Sequence, residues 1–387
     1  MKKKFITFGQ PLILNEEIKE VLNCLKSGWI GTGPRVTKFE KQFAKLKNNK
    51  NVAAVNSCTA ALHLSLLALN LNNEDEVITS ALTFCSTVNA IIHSGARPVI
   101  ADVEYNSQNI DPKKIEEKIT SKTKAIIVVH FAGRPCNMKE ILFLVKKYKL
   151  YLIEDCAHAI ESSYNGISCG NFGDYGCFSF YATKNVTTGE GGMIISNSYK
   201  KISNIKILAL HGMSKDAWKR YSDKGYLHYD VVNSGFKYNM MDLQAAIGIH
   251  QLKKIHINHK KREKIWNTYN YFFKNLNIGI PAPIEKNTKH AYHLYTLQIN
   301  KEKCGISRNE FQKILQKKNI GTGIHYQAIP GYSFYKKKFG WNIEEYPNAK
   351  KIGSETISIP ISPKYKKAEI KKIIKVVLNI FKKKYKK

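Results

Sequence analysis

Across its first two thirds the sequence alternates short apolar runs with stretches of helical spacing, and no other feature narrows the fold as much. A strand buried on both faces reads as a near-continuous apolar run, and parallel neighbours need a crossover helix between them. Val52–Val55 reads as such a strand. It leads through Asn56, Ser57, Cys58 and Thr59 into a helix from Ala60 to Leu69. Glu76–Thr79 is a second strand, followed by Leu82, Thr83, Phe84 and a helix over Ser86–Ser94. Pro98–Asp102 and Ala125–His130 continue the series, the latter stopped by Gly133 and Pro135. Met138–Lys149 has helical spacing. Leu150–Glu154, Gly176–Tyr181 and Met193–Ser196 complete the strands. The pattern predicts an α/β architecture with a mostly parallel sheet covered by helices.

The chain has 387 residues, enough for two domains with substantial cores. A long helical pattern from Asp242 to about Phe273 carries the chain out of the first unit. The remainder mixes strands (Leu294–Ile299, Thr356–Ile359) with amphipathic helices (Glu310–Lys317, Ala368–Phe381). The expected division is a large domain over residues 1–250 and a smaller α+β domain over residues 251–387. An N-terminal arm of residues 1–13 is expected to pack on the small domain.

Lys and Arg total 62 against 30 Asp and Glu, a formal charge of +32. Charge alone points to a nucleic-acid-binding protein. The cation type argues against that. Arg stands only at positions 35, 97, 134, 220, 262 and 308, which leaves 56 Lys, and Arg is the better fork for phosphates and bases. A compositional bias toward Lys, Asn and Ile accounts for the excess, so no nucleic-acid partner is expected. The eight cysteines form no CxxC pair and sit mostly in apolar segments, as free thiols in a reducing compartment do. No metal-ligand spacing occurs among His, Cys and carboxylates, and no apolar run is long enough to span a bilayer. The expected location is the cytoplasm.

In an open parallel sheet, chemistry gathers at the carboxyl ends of the strands. Three polar groups stand there: Ser57 with Thr59, Asp155 and Lys184. Asp155 closes the apolar run Tyr151-Leu152-Ile153, where a carboxylate is costly without donors or a cation. The alternative is a simple helix cap. Lys184 follows Phe180, Tyr181 and Ala182, surroundings that disfavour the charged amine and suit covalent attachment to an aldehyde. Pyridoxal phosphate (PLP) would use all three: a lysine for its aldehyde, a carboxylate for its ring nitrogen, and a helix start for its phosphate. Ser179 could add a hydroxyl to that cradle.

The stretch Ser179-Phe-Tyr-Ala-Thr-Lys184-Asn185 with Gly189-Glu-Gly-Gly192 resembles the lysine motif of DegT-type nucleotide-sugar aminotransferases. The resemblance continues through Gly28-Trp-Ile-Gly-Thr-Gly-Pro34, Asn56-Ser-Cys-Thr-Ala-Ala-Leu62, Glu154-Asp-Cys-Ala-His158, Gly235-Phe-Lys-Tyr-Asn-Met-Met-Asp242 and Ile357-Ser-Ile-Pro-Ile361. It covers nearly the whole chain in the family's order. It implies a fold-type-I PLP-dependent transferase, with a seven-stranded sheet in the large domain, that moves an amino group from glutamate to a nucleotide-linked keto-sugar. It also implies a homodimer with shared active sites.

By that resemblance Lys184 binds the cofactor and shuttles the proton, and Asp155 pairs the ring nitrogen. Phe84 and His158 cover the two faces of the ring. Ser57, Cys58, Thr59 and Ser179 bind the phosphate. A neighbouring-subunit Asn, third in a Gly-x-Asn-x-Arg motif, usually joins them; Gly235-Phe236-Lys237-Tyr238-Asn239 stands there, so either Lys237 or Asn239 would serve. Trp29, Ile30, Gly31, Thr32, Arg220, His325 and Tyr326 would seat the sugar nucleotide. A family His usually follows the His-Tyr pair, but this chain has Ala328-Ile329-Pro330. The motifs lie nearest the branch that makes UDP-4-amino-4-deoxy-L-arabinose, an aminosugar of lipopolysaccharide. The rival readings are another fold-type-I enzyme, an aldolase or a 3-dehydrase. The dehydrase type carries His where Lys184 stands.

Overall fold

The fold was taken from a computed structural model, which describes residues 5–214 and 229–382. Arg220 lies outside the described residues. Helices α1 (Asn15–Lys26) and α2 (Pro34–Lys47) precede β1 (Val52–Val55). Then follow α3 (Cys58–Leu67), β2 (Glu76–Ser80), α4 (Cys85–His93), β3 (Arg97–Ala101), α5 (Pro112–Glu116), β4 (Thr123–Val129), α6 (Met138–Tyr148) and β5 (Tyr151–Asp155). A small hairpin of β6 (Ser163–Tyr164) and β7 (Ile167–Ser168) leads to β8 (Tyr175–Ser179), β9 (Gly192–Ile195) and α7 (Tyr199–Leu208).

Seven strands form one sheet in the order β1-β9-β8-β5-β4-β2-β3. Only β9 runs against the rest, antiparallel to both β1 and β8. The sheet is buried on both faces, as its unbroken apolar runs require. Alternate residues of one strand enter opposite cores. Ala125 and Ile127 of β4 pack with α3 and α4, while Ile126 and Val128 pack with α6. Ile194 of β9 joins the first core, and Met193 and Ile195 join Phe39 and Phe43 of α2 on the other face.

The rest of the chain forms α8 (Asp242–Lys253), α9 (Ile255–Phe273), β10 (Thr288–Lys289), β11 (Tyr295–Gln298), α10 (Lys301–Cys304), α11 (Arg308–Lys317), α12 (Ser333–Phe339), α13 (Pro347–Glu355), β12 (Thr356–Ile359) and α14 (Lys367–Lys382). The single helix expected over Asp242–Phe273 is two helices that break at Lys254, where ψ rises to 1°. A separate core of Trp266, Tyr269, Tyr295, Phe311, Ile357, Ile373 and Val377 holds α9, α11 and α14 against the β11–β12 pair. The N-terminal arm joins it: Ile6 is buried there, donates to the Asn319 carbonyl and accepts from Gly321 N–H. Between them, α12 and α13 turn back onto the first sheet, where Tyr335, Tyr346 and Ile352 pack on Leu82, Val88 and Ile100.

One motif residue explains how α2 begins. Buried Asp242 accepts hydrogen bonds from the N–H groups of Arg35 (3.0 Å) and Val36 (2.9 Å), just after Pro34. The carboxylate thus satisfies two helix-start donors and complements the positive end of the helix dipole.

Candidate active site

Three strand ends converge on one cavity of about 540 Å³. β1 runs into Ser57, whose hydroxyl accepts from Ala60 N–H at 3.0 Å and caps α3. Helix geometry leaves the Cys58 and Thr59 N–H groups without an intrahelical acceptor, so an anion is favoured at this turn. Gly192 of β9 lies flat against the same turn. A Cβ there would stand 2.5 Å from the Ser57 carbonyl, so only glycine lets β9 pass this close.

Asp155 ends β5 beside Cys177 of β8. Its Oδ1 accepts from Ala157 N–H at 3.1 Å and its Oδ2 from the Thr87 hydroxyl at 2.9 Å. Thr87 is itself steadied by Thr83 at 2.9 Å. Burial raises the Asp155 pKa; Ala157 N–H, Thr87 and the nearby Lys184 charge oppose that rise without cancelling it. Asp155 forms no salt bridge among the described residues. A buried carboxylate that accepts from Ala157 N–H, Thr87 and, at 3.9 Å, the Cys58 thiol, and forms no ion pair among the described residues, is suited to the protonated nitrogen of a bound ring.

Lys184 sits in the reversal between β8 and β9. Its N–H donates to Tyr181 O at 2.9 Å, while Phe180 and Thr188 bind across the loop. Burial pushes the amine down to about 8, against the opposing pull of Cys58 and Asp155. A substantial fraction is therefore neutral, and so nucleophilic, near neutral pH. The Cys58 thiol, raised by burial and by Asp155, stays protonated.

His158 closes the cavity floor. It is buried, and that burial, reinforced by Lys184 and His325, holds it well below the usual histidine range. Its Nδ1 accepts from Ala132 N–H at 3.2 Å and its Nε2 faces the Tyr326 hydroxyl at 3.1 Å. His325 is pushed down to about 3 by burial and Lys184, and its Nδ1 meets Ser358 Oγ at 2.8 Å. Phe84 stands 55% exposed at the mouth, 5.8 Å from the Tyr326 ring.

The cavity thus brings together Ser57, Cys58, Thr59, Phe84, Asp155, His158, Ser179, Lys184, His325 and Tyr326. Thr83, Ser86, Tyr181, Thr183 and Glu190 also line it and were not anticipated from the sequence. Trp29, Ile30, Gly31, Thr32, Lys237 and Asn239 do not line it within one chain. They form a neighbouring cluster instead. Thr32 donates to Met240 O at 2.6 Å and accepts from Asn239 Nδ2 at 2.5 Å, and Gly31 O accepts from Asp242 N–H at 2.8 Å. Asn239 Oδ1 is buried there without a hydrogen-bond partner.

Among the described residues one metal-like group occurs, His130, Glu154 and Cys156. Glu154 and His130 are already engaged. Glu154 accepts from the N–H groups of Gly170, Phe172 and Gly173, and His130 Nδ1 accepts from Cys136 N–H. His130 Nε2–H is thereby directed at Glu154, 3.0 Å away.

A lysine and an unpaired carboxylate at neighbouring strand ends, with an anion-binding helix start beside them, define a pyridoxal-phosphate enzyme. Residues 11–378 match the DegT/DnrJ/EryC1/StrS aminotransferase family, and the chain belongs to it. This is a PLP-dependent aminotransferase. The chain is 44% identical over 382 residues to the spore coat polysaccharide biosynthesis protein SpsC of Bacillus subtilis, covering 98% of each. The putative sugar aminotransferase Spr1654 of Streptococcus pneumoniae, solved in its PLP and PMP (pyridoxamine phosphate) forms, superposes with a TM-score of 0.91. Its PMP form is 31% identical, with 98% of both chains covered. Helicobacter pylori PseC, an aminotransferase involved in pseudoaminic acid biosynthesis, gives a TM-score of 0.90 at 29% identity, covering 98% of this chain and all of PseC.

Proposed function

We propose that the enzyme moves an amino group from glutamate to a nucleotide-linked keto-sugar, UDP-linked and aminated at C4, to make an aminosugar for a surface polysaccharide or glycan. The carrying observation is the convergence of Lys184, Asp155 and the Ser57 helix start on one cavity. The names of SpsC, a spore coat polysaccharide biosynthesis protein, and PseC, an aminotransferase of pseudoaminic acid biosynthesis, support the substrate class. So does the cavity wall. Among the described residues Lys184 is the one basic side chain besides the histidines that lines it, and neutral hydroxyl, aromatic and imidazole groups dominate, which favours a polyhydroxylated ring.

When bound, PLP supplies an aldehyde carbon that carries the amino group and a ring that accepts an electron pair. Asp155 holds the proton on the ring nitrogen. Ser57, Thr59, Ser179 and the first N–H groups of α3 bind the phosphate. Phe84 and His158 confine the ring from either side, and His158 stays neutral. Lys184 Nζ takes the proton from the amino donor's α-carbon and returns it to the sugar carbon. His325 and Tyr326 present polar groups to the sugar.

A homodimer completes the site in this reading. Ile18, Leu22 and Leu25 form a stripe on α1, each about half exposed, continuous with exposed Trp29 and Ile30. A second copy covering that stripe would bring Trp29–Thr32 and either Lys237 or Asn239 to its neighbour's cavity. The chain divides into a cofactor domain over residues 1–250 and a smaller domain over 251–387, each with its own core. Eight free cysteines fit a cytoplasmic location. Glutamate-dependent amination across UDP-, GDP- and dTDP-4-keto sugars tests the substrate, with the UDP series turned over best. Lys184→Ala should reduce turnover by at least ~10³-fold and lose the visible band of the lysine-bound cofactor. Full activity in that variant overturns the reading.

A further inference from the structure

Asn185 follows Lys184 directly and is 6% exposed. Both hydrogens of its Nδ2 are used, one on Glu161 Oε2 and one on the Ala291 carbonyl, each at 2.8 Å. Two acceptors on one end of the amide fix its orientation, so Oδ1 is the atom that faces His293 Nδ1 at 3.0 Å. An amide oxygen only accepts, so His293 Nδ1 carries the hydrogen. The His293 ring lies against His158, with centroids 4.4 Å apart. His158 Nδ1 is held by Ala132 N–H, which leaves Nε2–H to donate to Tyr326. Lys184, His158 and His293 all border one small void of about 30 Å³.

We propose that Asn185 is a positioning residue that ties the Lys184 loop to His158 through His293, with Glu161 as its anchor. Glu161, Asn185, His293 and His158 are all buried, and buried polar groups rarely stabilise more than apolar packing would. What the network does supply is geometry. Each hydrogen of the Asn185 side-chain amide has one acceptor, which restrains the backbone beside Lys184. The same amide fixes the tautomer and tilt of the ring that backs His158. Lys184 Nζ must reach both cofactor and substrate carbon, and a misplacement of about 1 Å there costs up to ~10²-fold in rate. The assignment rests on Lys184 being the cofactor lysine.

The test uses holoenzyme. Asn185→Leu removes both donors and the acceptor at similar volume. The expected result is a kcat lower by about tenfold or more with KM within about twofold. The pH midpoint of the lysine-bound cofactor's visible absorbance should also move by about half a unit or more. Asn185→Asp, closer in shape, sets an acceptor against Glu161 and should show the same losses. Adding Glu161→Gln to it exchanges donor and acceptor across that pair, while the Ala291 carbonyl still faces an oxygen, so it should restore part of the lost kcat and part of the midpoint shift. A folded Asn185→Leu or Asn185→Asp holoenzyme with wild-type kcat and midpoint overturns the proposal. So does a double variant no better than Asn185→Asp alone. Retained turnover in Lys184→Ala would instead overturn the reading beneath it.

Discussion

Asp155 and Lys184 meet the same physics with opposite signs. Burial disfavours both charges, raising the carboxyl and lowering the amine to about 8. Thr87 is the side chain that most directly offsets this at Asp155. Thr87→Val keeps the shape and removes a hydrogen bond to a carboxylate, an effect of about 1.5–3 kcal/mol. The Asp155 pKa should rise further, so the acid limb of the kcat/KM profile should move to higher pH. The kcat should fall by about tenfold with little change in melting temperature. An unmoved acid limb would remove Thr87 from the site. Asp155 and Lys184 were legible in sequence because each ends an apolar run, where a charge needs a reason. Thr87 was not, because it stands 68 residues before Asp155 and a threonine in a helix start is ordinary. Tyr181 and Glu190 were invisible for a related reason: only the reversal between β8 and β9 aims them inward. The Trp29–Thr32 turn, expected to seat the sugar nucleotide, lies outside its own chain's cavity. Sequence order cannot say whose cavity a residue faces.

Strands were the most legible elements, since burial on both faces leaves an unbroken apolar signature. Every strand of the large sheet was anticipated within about two residues. The β6–β7 hairpin is too short for such a signature. Helices α1 and α2 escaped because α1 exposes the apolar residues that would mark its inner face, and α2 opens at a motif rich in glycine. The break at Lys254 escaped because helical spacing continues unbroken across it. At Gly192 β9 passes close against the start of α3. Gly192→Ala would put a methyl 2.5 Å from the Ser57 carbonyl and 2.8 Å from Cys58 N, both backbone atoms that cannot swing aside. The turn should be pushed outward and its N–H groups turned from the phosphate. We expect PLP affinity to fall by about tenfold or more with far-ultraviolet dichroism unchanged. An unchanged Kd for PLP in a folded variant would refute the cradle.

On the scale of the whole molecule, the charge of +32 was the loudest feature of the sequence and contributes little to the site, where Lys184 is the one lysine or arginine among the described residues of the lining. The exposed α1 stripe is the more consequential surface. If the proposed homodimer uses this stripe, Leu22→Asp at its centre should leave a monomer where the wild-type chain sediments as a dimer at micromolar concentration; an equal oligomeric state in both would remove the stripe from the interface. Charge does bear on stability at low pH, together with the buried histidines. His158, His290 and His293 are held well below the usual range by burial, and His325 lies at about 3. The unfolded chain takes up these protons below about pH 6.5 and the native state does not, so stability is lost as pH falls through that value. Glu161 works the other way. Burial pushes it up to about 7, so the native state is relieved of a buried charge on acidification. That relief is about 2–3 kcal/mol between pH 7 and 5; Glu104, Asp155 and His130 are also raised and share its sign, while His63 and His259 join the four lowered histidines on the other side. Protonating the surface carboxylates adds repulsion to a molecule already at +32, with the same sign. The apoprotein's melting temperature should therefore fall steeply from pH 7 to pH 5. In Glu161→Gln the relief is absent, so the fall should be steeper still. A melting temperature that rises over this interval would mean that the four histidines are charged in the native protein. His158 could not then be the neutral group that covers the ring.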